Sequence, residues 1–578
     1  MKSVLAFMAA AIFAVGCSGD YQRVETFEEL ALEQTRSEEV YEAWGSLGRG
    51  LYGGWSDKDL RYVRDEVPER EISQNMKLTC WRGERASAQI MLWSAEGADG
   101  VECKVSDLKS ADAKLPGSIV QTRFVRYTIT DEQTFSYKKS GNTFSAADML
   151  DSLARFDMAP CSTRPVWVTF NIPQDAKAGV YSGKITISHQ GCGKLKLPFE
   201  LEVVDHTLAP VAEWSYHLDL WQHPSAVARA QGLEMWSDEH FEAMRPVMQL
   251  LANAGQKVIT ATLNKDPWNH QCYDGYESMI LWTLGKDGEW RYDYKVFDRW
   301  VEMMLGLGIN KMINCYSMVP WNNELEYWDE AKGETITVKA DPGTKIFKEI
   351  WTPFLKDFTS HLREKGWLSI TNIAMDERSP KAMDAAAELL EQAAPELNFA
   401  LADNHKSYKR YTMMRDVCVA IHHPADHADI VMRREKGHNT TFYICCVPSY
   451  PNTFTNSEPF ESELLGWYGV ATDYDGMLRW AYNSWPENPH LDSRYGNWMG
   501  GDTFLVYPYA RSSVRFEMLI EGIEVAEKVR ALRREGVDTS AIEAVSERIC
   551  TTNSQDHTQP WHEIVVEARK ALDEVSRM

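Results

Sequence analysis

Two patterns of apolar residues divide this chain. In its first third, short segments alternate or run apolar between turn residues: Ala86 to Trp93 (ASAQIMLW), Val166 to Ile172 (VWVTFNI), Gly183 to His189 (GKITISH) and Leu195 to Val204. Period-two segments of this length predict strands. The stretch Pro173 to Gly183 (PQDAKAGVYSG) reads as a turn leading into a hairpin. A polar, helical lead-in from Thr26 to Trp44 precedes them, and no helix-period segment interrupts them up to about Asp205. The expectation is a β-sandwich.

From Trp214 the pattern changes to strand, helix, strand, helix. The predicted strands are Trp214 to Trp221, Lys257 to Asn264, Lys311 to Pro320, Leu368 to Asp376, Asn398 to Asp403, Val417 to His423, Thr441 to Pro448 and Gly476 to Trp485. Helical periodicity marks His240 to Ala254 (stopped by Gly255), Tyr294 to Leu307, Thr344 to Lys365 (stopped by Gly366), Met383 to Ala393 and Val514 to Arg533. The helix between strands five and six has the weakest periodicity. Eight strands with intervening helices is the count of a (β/α)8 barrel of the TIM type. Two further helical stretches, Ser540 to Arg548 and Trp561 to Val575, read as a helical cap on it. The expected division is 1–17 targeting segment, 18–208 sandwich with its lead-in, 209–535 barrel and 536–578 helical extension.

The first segment, MKSVLAFMAAAIFAVGC, joins Lys2 to an apolar run from Val4 to Val15 that is too short to span a bilayer. Ala14-Val15-Gly16-Cys17 resembles a bacterial lipobox with Ala14 where leucine is commoner, so lipid attachment at Cys17 is expected. An ordinary secretory signal is the alternative. Either reading exports the protein, to a lipid anchor in the cell envelope (periplasm or cell surface) in the first case. A net charge of −23 disfavours nucleic acid and anionic membrane surfaces as partners. Ten cysteines follow Cys17 without zinc-site spacing, most of them single within apolar strands, which reads as buried free thiols. With 21 tryptophans, 24 tyrosines and 20 phenylalanines, the chain has more large rings than packing requires. Such rings suit a sugar cleft, although each also fits an ordinary core.

Barrel active sites lie at the C-terminal strand ends. Those ends carry His217, Asp219, Trp221 and His223 (strand one), Asn264, Tyr316, the run Asp376-Glu377-Arg378 (strand four), Asp403-Asn404-His405, His422-His423, Pro448-Ser449-Tyr450, and Trp480, Asn483 and Trp485 (strand eight). Asp502 and Tyr507 follow in the next loop. Glycosidic cleavage needs a proton donor and a group that stabilises the anomeric cation. Strand seven, a common place for a nucleophile, ends in CCVPSYPNTF and holds no acid, whereas strand four ends in two. Adjacent acids at a frayed strand end can reach one cavity, an arrangement that fits substrate-assisted catalysis by the sugar's own 2-acetamido oxygen. Their mutual repulsion raises at least one pKa, which suits a proton donor. A solvated strand end or a salt bridge to Arg378 would explain the pair equally well. His217, Asp219, Asn404, Asp502 and Tyr507 are candidate contacts to sugar hydroxyls. Trp480, Asn483 and Trp485 are a candidate floor, and Tyr316 or Tyr507 a candidate donor to the acetamido oxygen. The run His422 to His427 (HHPADH) matches no metal-ligand spacing, and neither metal nor cofactor is expected.

The segment AMDERSP, the upstream TCWRGERASAQIMLWS and the downstream LRWAYNSWPENPHLDSRYGNWMGGDTFLVYP with SSVRFEMLIEGIE resemble glycoside hydrolase family 123, from about Trp81 to Glu527. The resemblance implies an N-terminal sandwich, a (β/α)8 barrel and an exo-acting, retaining β-N-acetylgalactosaminidase using substrate assistance. By the same resemblance Asp376 orients and stabilises the acetamido group and Glu377 is the general acid/base. The partner would be a glycan or glycoconjugate with terminal β-linked N-acetylgalactosamine. Two other readings stay open. One is a hydrolase of another sugar: a β-N-acetylglucosaminidase, or a conventional glycosidase with Asp219 or Asp502 as second carboxylate. The other is a non-catalytic surface lipoprotein that binds glycans.

Overall fold

The computed structural model describes residues 29–30, 32, 37–133, 139–190, 193–550 and 560–578. The expected targeting segment with Cys17, and the start of the lead-in, lie outside the described residues. The rest of the lead-in contains a helix, Glu38–Ser46, capped by the Ser37 hydroxyl, with Trp44 buried.

The N-terminal region is a β-sandwich. One sheet has the order Tyr52–Ser56, Arg85–Ser94, Ser162–Asn171, Val120–Gln133, Lys139–Asp151, all antiparallel. The other runs Met76–Arg82, Lys194–Thr207, Gly179–Ser188, Ala98–Val105, Phe156–Met158. Alternate residues meet between them: Val166, Val168 and Phe170 from one sheet, Tyr181, Ile185, Leu197, Phe199 and Leu201 from the other. Some strands are covered on both faces, so they run apolar instead of alternating. Ser162–Asn171 is buried along almost its whole length, and Trp167 on its outer face packs on Val514 and Met518 of the barrel's last helix.

Eight parallel strands form the C-terminal barrel: His217–Leu220, Val258–Thr262, Met312–Tyr316, Thr371–Asp376, Asn398–Asp403, Met414–Ala420, Asn439–Ile444 and Gly476–Arg479. The seam lies between strands one and two, which share a single bridge, Leu218 to Gln256. Two glutamine side chains join it. The Gln256 amide accepts from Leu220 N–H at 3.0 Å and donates to Leu220 C=O at 3.2 Å and Val258 C=O at 2.7 Å. The Gln222 amide accepts from Thr260 N–H at 2.8 Å. Buried backbone groups that an eighth ladder would have satisfied are thus paired by side chains.

Strand eight stops at Arg479 rather than Trp485, because Trp480 to Trp485 leave the barrel to pair with the loop around Thr503 to Leu505. Strand six starts earlier and ends at Ala420, so His422 and His423 stand in the turn beyond it. Between strands five and six there is only a one-turn 3-10 segment, Ser407–Lys409. The helix after strand four begins at Pro380, ahead of the apolar period, because Ser379 caps it and proline suits its first position. Residues inserted after strands two and three build a separate four-stranded sheet from Leu281–Leu284, Trp290–Asp293, Glu324–Asp329 and Glu334–Lys339. The helices Ser540–Cys550 and Trp561–Val575 follow the barrel.

The last barrel helix, Val514–Glu535, is buried on nearly every side. It crosses the helix Pro459–Thr472 where Gly466 meets Gly522, and a Cβ on Gly466 would lie 2.0 Å from the Gly522 carbonyl oxygen. Its charged residues are paired across to the sandwich: Arg515 with Asp148, Glu517 with Arg123 and Arg85, and Lys528 with Glu84. Gln256→Leu should orphan the buried Leu220 N–H at the seam, while the Leu220 and Val258 carbonyls keep the Gln222 amide as donor. The expected cost is about 2 kcal/mol, read as a lower urea midpoint with an unchanged slope.

Candidate active site

The inward positions of the barrel strands are small in their upper half: Ala374, Ala400, Ala402, Cys418 and Ala420. Into that space the mouth admits large rings. Trp221, Trp268 and Tyr316 pack with centroids 4.7 to 4.9 Å apart, and Tyr276 joins them through Trp268. Tyr443 occupies the same inner layer on strand seven.

Asp376 ends strand four on the inward face that Asn372 and Ala374 began. Continued alternation would send the next side chain outward. Instead Glu377 has φ +46°, a left-handed conformation that costs a residue with a Cβ about 1–2 kcal/mol. Its amide still reaches the strand-five ladder, donating to Ala402 C=O at 2.9 Å. Its side chain turns back to the inward-facing Tyr443, whose hydroxyl donates to Glu377 Oε1. Two consecutive carboxylates therefore face one mouth from different sides.

Their surroundings differ. The indoles of Trp268 and Trp321 offer N–H groups to Asp376. Burial, reinforced by the charge of Glu377, outweighs these donors and raises the Asp376 pKa to about 8. Arg378 does not form an ion pair with either acid. Its Nη2 donates to Asn323 at 3.2 Å, while its Nε is buried without a partner. Two further buried atoms near the pair lack partners, Asn404 Oδ1 and His422 Nδ1, and the His422 ring senses the Glu377 charge. Unpaired buried polar atoms around a mouth are groups a polar ligand can satisfy.

The structure sorts the sequence candidates. Tyr316 lies at the mouth, buried, with its hydroxyl pKa raised by burial and then by Asp219 and Asp376. Trp480 is partly exposed, packs at a tilt against Trp498 with ring centroids 5.3 Å apart, and donates to Asp502 at 3.1 Å. Asp502 itself is fully buried, paired with Arg479 at 2.9 Å. His217 begins strand one instead of ending it, so it belongs to the opposite end of the barrel, 3.3 Å from Asp416. Asp416 accepts from Asn314 at 3.0 Å, and Asn314 from Asn372 at 2.8 Å, a polar network filling the barrel interior. Asp219 sits in that interior, 1% exposed, its pKa pushed to about 7 by burial and by Asp416.

Three candidates serve the fold instead of the mouth. Asn483 clamps the His223 backbone, accepting from its N–H and donating to its C=O, each at 2.9 Å. Trp485 is fully buried, and its Nε1 donates to Val506 C=O at 2.6 Å. Tyr507 is fully buried, and its hydroxyl donates to Asp148 of the sandwich at 2.7 Å.

Sequence reasoning passed over Trp268, Trp321 and Tyr443, and named His422 only at its strand end and within the HHPADH run. Tyr443 was legible from alternation, since Thr441, Tyr443 and Cys445 share a face of strand seven, whereas the two tryptophans stand on loops that only the folded chain brings to Asp376. The HHPADH run is dispersed: Asp426 pairs with Lys406 and His427 with Asp473. Among the described residues, Asp57, Asp59 and His562 form a group close enough to share an ion. Arg569 already occupies Asp59 with bonds of 2.6 and 2.7 Å, so the group reads as a salt-bridge cluster.

Two family models match the chain: the glycoside hydrolase 123 catalytic domain over residues 221–532 and the glycoside hydrolase 123 N-terminal domain over 55–189. Among solved structures, a family 123 glycoside hydrolase from Clostridium perfringens, described in a study of glycolipid glycan hydrolysis, superposes with a TM-score of 0.82 at 25% identity. That match covers 91% of this chain and 97% of the other. A GH5 xyloglucanase from Bacteroides ovatus aligns at 10% identity over 82% of this chain and 100% of its own, with a TM-score of only 0.30, and nothing rests on it. No curated protein matches the chain significantly.

The raised Asp376 pKa carries a stability consequence. The native state holds this proton up to about pH 8, whereas an unfolded aspartate releases it near pH 4, so folding stability contributed by the protonated group is lost as pH rises between those values. Asp376→Asn removes that dependence. It should be more stable than wild type at pH 8 by on the order of 2 kcal/mol, after allowance for partial exposure, with the gap closing toward pH 4. Urea midpoints measured across that range check it.

Proposed function

The chain belongs to glycoside hydrolase family 123, and from that premise we propose that it is an exo-acting, retaining β-N-acetylgalactosaminidase working by substrate assistance. The observation that carries this reading is the left-handed turn at Glu377, which aims two consecutive carboxylates into one aromatic mouth while strand seven ends in Tyr443, Ile444 and two cysteines without an acid.

In this reading the terminal sugar rests against the ring wall with its 2-acetamido group toward Asp376. The acetamido carbonyl oxygen attacks the anomeric carbon as the glycosidic bond breaks, forming a bicyclic oxazolinium. Asp376 accepts the acetamido N–H, and the positive charge developing on that group draws the aspartate toward its ionised form. Tyr316 is the hydroxyl at hand to donate to the acetamido oxygen, since Tyr507 is committed to Asp148. Glu377, held by Tyr443, gives its proton to the leaving oxygen and then takes one from the water that opens the ring, which retains configuration. Arg378 Nε, Asn404 Oδ1 and His422 Nδ1 are open to sugar hydroxyls. The burial of Asp219 and Asp502 argues against either as the second carboxylate of a conventional glycosidase. Lipid attachment at Cys17, with export to the cell envelope, remains part of the proposal; mass spectrometry of the membrane-extracted protein tests it.

Aryl β-glycosides decide the main point. Hydrolysis of the N-acetylgalactosaminide with no turnover of the galactoside is expected, and comparable turnover of the galactoside would overturn substrate assistance. Glu377→Ala should lose most activity on poor leaving groups and much less on activated ones, while Asp376→Asn should damage both. The opposite assignment, with the proton-retaining Asp376 as donor, would move the leaving-group dependence to Asp376→Asn. Tyr443→Phe should lower kcat by about tenfold or more with a small change in KM, because it frees the Glu377 side chain without touching the sugar-binding wall. Steady-state kinetics on the same substrates read this.

A further inference from the structure

We propose that Cys445 and Cys446 are a reactive vicinal dithiol at the barrel mouth, a modification site that takes a low-molecular-weight disulfide as oxidant and shuts down glycoside hydrolysis when it closes. The two thiols follow the last residue of strand seven, and their Sγ atoms lie 3.9 Å apart, both free and both partly exposed. Cys445 packs against the inner layer that contains Tyr443, Cys418 and Leu478. Its backbone is fixed, with the carbonyl accepting from Asn452 Nδ2 at 2.8 Å, so the pair is held together rather than free to separate.

The two sulfurs are chemically unequal. The contact between the two sulfurs lowers the Cys446 pKa and raises that of Cys445, so a thiolate formed on the pair is favoured on Cys446. The Cys446 thiolate attacks one sulfur of the oxidant, forming a mixed disulfide and expelling the first thiolate, which takes the Cys445 proton. The Cys445 sulfur then attacks Cys446, breaking the mixed disulfide and expelling a second thiolate that is protonated from water. Two cysteine thiols are oxidised and one oxidant disulfide is reduced to two thiols. Neighbouring Cα atoms stand closer than in ordinary disulfides, so the bond is strained and readily reduced.

Closure reaches the active site by two routes. It removes an ionisable thiol whose charged form interacts with Asp502 and Glu377. It also draws the two sulfurs together immediately beyond Tyr443, the residue that holds Glu377. Among the other described cysteines, Cys80, Cys272, Cys315 and Cys418 are buried, and Cys103 and Cys161 are partly exposed.

The test uses the full chain treated with oxidised glutathione, followed by peptide mass spectrometry and aryl-glycoside kinetics. The peptide spanning 445–446 should lose two hydrogens, kcat/KM should fall by about tenfold or more, and dithiothreitol should restore both. Cys445→Ala and Cys446→Ala should each abolish the two-hydrogen loss. Glutathione on Cys103 or Cys161 with no change in the 445–446 peptide would overturn the proposal, as would closure that leaves kcat/KM unchanged. The kinetic part rests on the glycosidase reading, and the mass measurement does not. An enzyme that hydrolyses no aryl N-acetylhexosaminide before oxidation refutes the proposed function, while the thiol result still decides the dithiol.

Discussion

One backbone residue governs the barrel mouth: Glu377, in a conformation its side chain disfavours. Strand alternation would have placed Asp376 in the cavity and Glu377 outside it. The left-handed turn reverses that, and two contacts pin it, the Glu377 amide on the strand-five carbonyl and the Tyr443 hydroxyl on its carboxylate. About 1–2 kcal/mol of local strain is thereby held by the surrounding ladder, a common feature of functional sites. Without this turn the pair would be one interior acid and one surface acid, with no shared chemistry.

The barrel leaves room for that turn by what it does not put inside. Alanines and a cysteine line the upper interior, and the volume they leave is taken by aromatic rings from strands one, three and seven and the loop after strand two. Below them the filling is polar, with His217, Asp219, Asn314, Asn372 and Asp416 buried together. An all-aliphatic interior would pack with less desolvation cost. What the polar layer does supply is a negative environment beneath Tyr316, which helps hold that hydroxyl protonated. The sandwich enters the site indirectly, by clasping the last barrel helix through buried ion pairs and by taking Tyr507 for itself.

Electrostatics and geometry together divide the work between the two acids. Asp376 lies among indoles and retains a proton to about pH 8. Glu377 is tied to a phenol on the far wall. In the proposed reaction Asp376 meets a cationic partner as the oxazolinium forms, which lowers its pKa, so the proton inventory of the pair would follow the state of the sugar.

Much was legible in the sequence because it depends on local periodicity. Alternation gave the sandwich strands, the strand–helix rhythm gave eight barrel strands, and counting acids at strand ends singled out Asp376 and Glu377. Tyr52–Ser56 (YGGWS) and Lys139–Asp151 (KSGNTFSAADMLD) were missed because neither segment carries an apolar–polar alternation. His217 and strand eight show the other limit. Apolar residues run past the ends of the ladder, so sequence could not tell Trp485, on the exit path, from a residue at the rim. Candidates at strand ends look alike as residue types, and only packing decides which are already spent. Tyr507, Asn483 and Trp485 had satisfied their polar groups within the protein, whereas Tyr443, Trp268 and Trp321 came to the acids from separate segments. The sequence by itself determined the fold class and the two acids, since periodicity and residue identity are properties of short segments. Their shared orientation and their surroundings were decided by tertiary structure, because they depend on one backbone angle and on contacts between residues far apart in the chain.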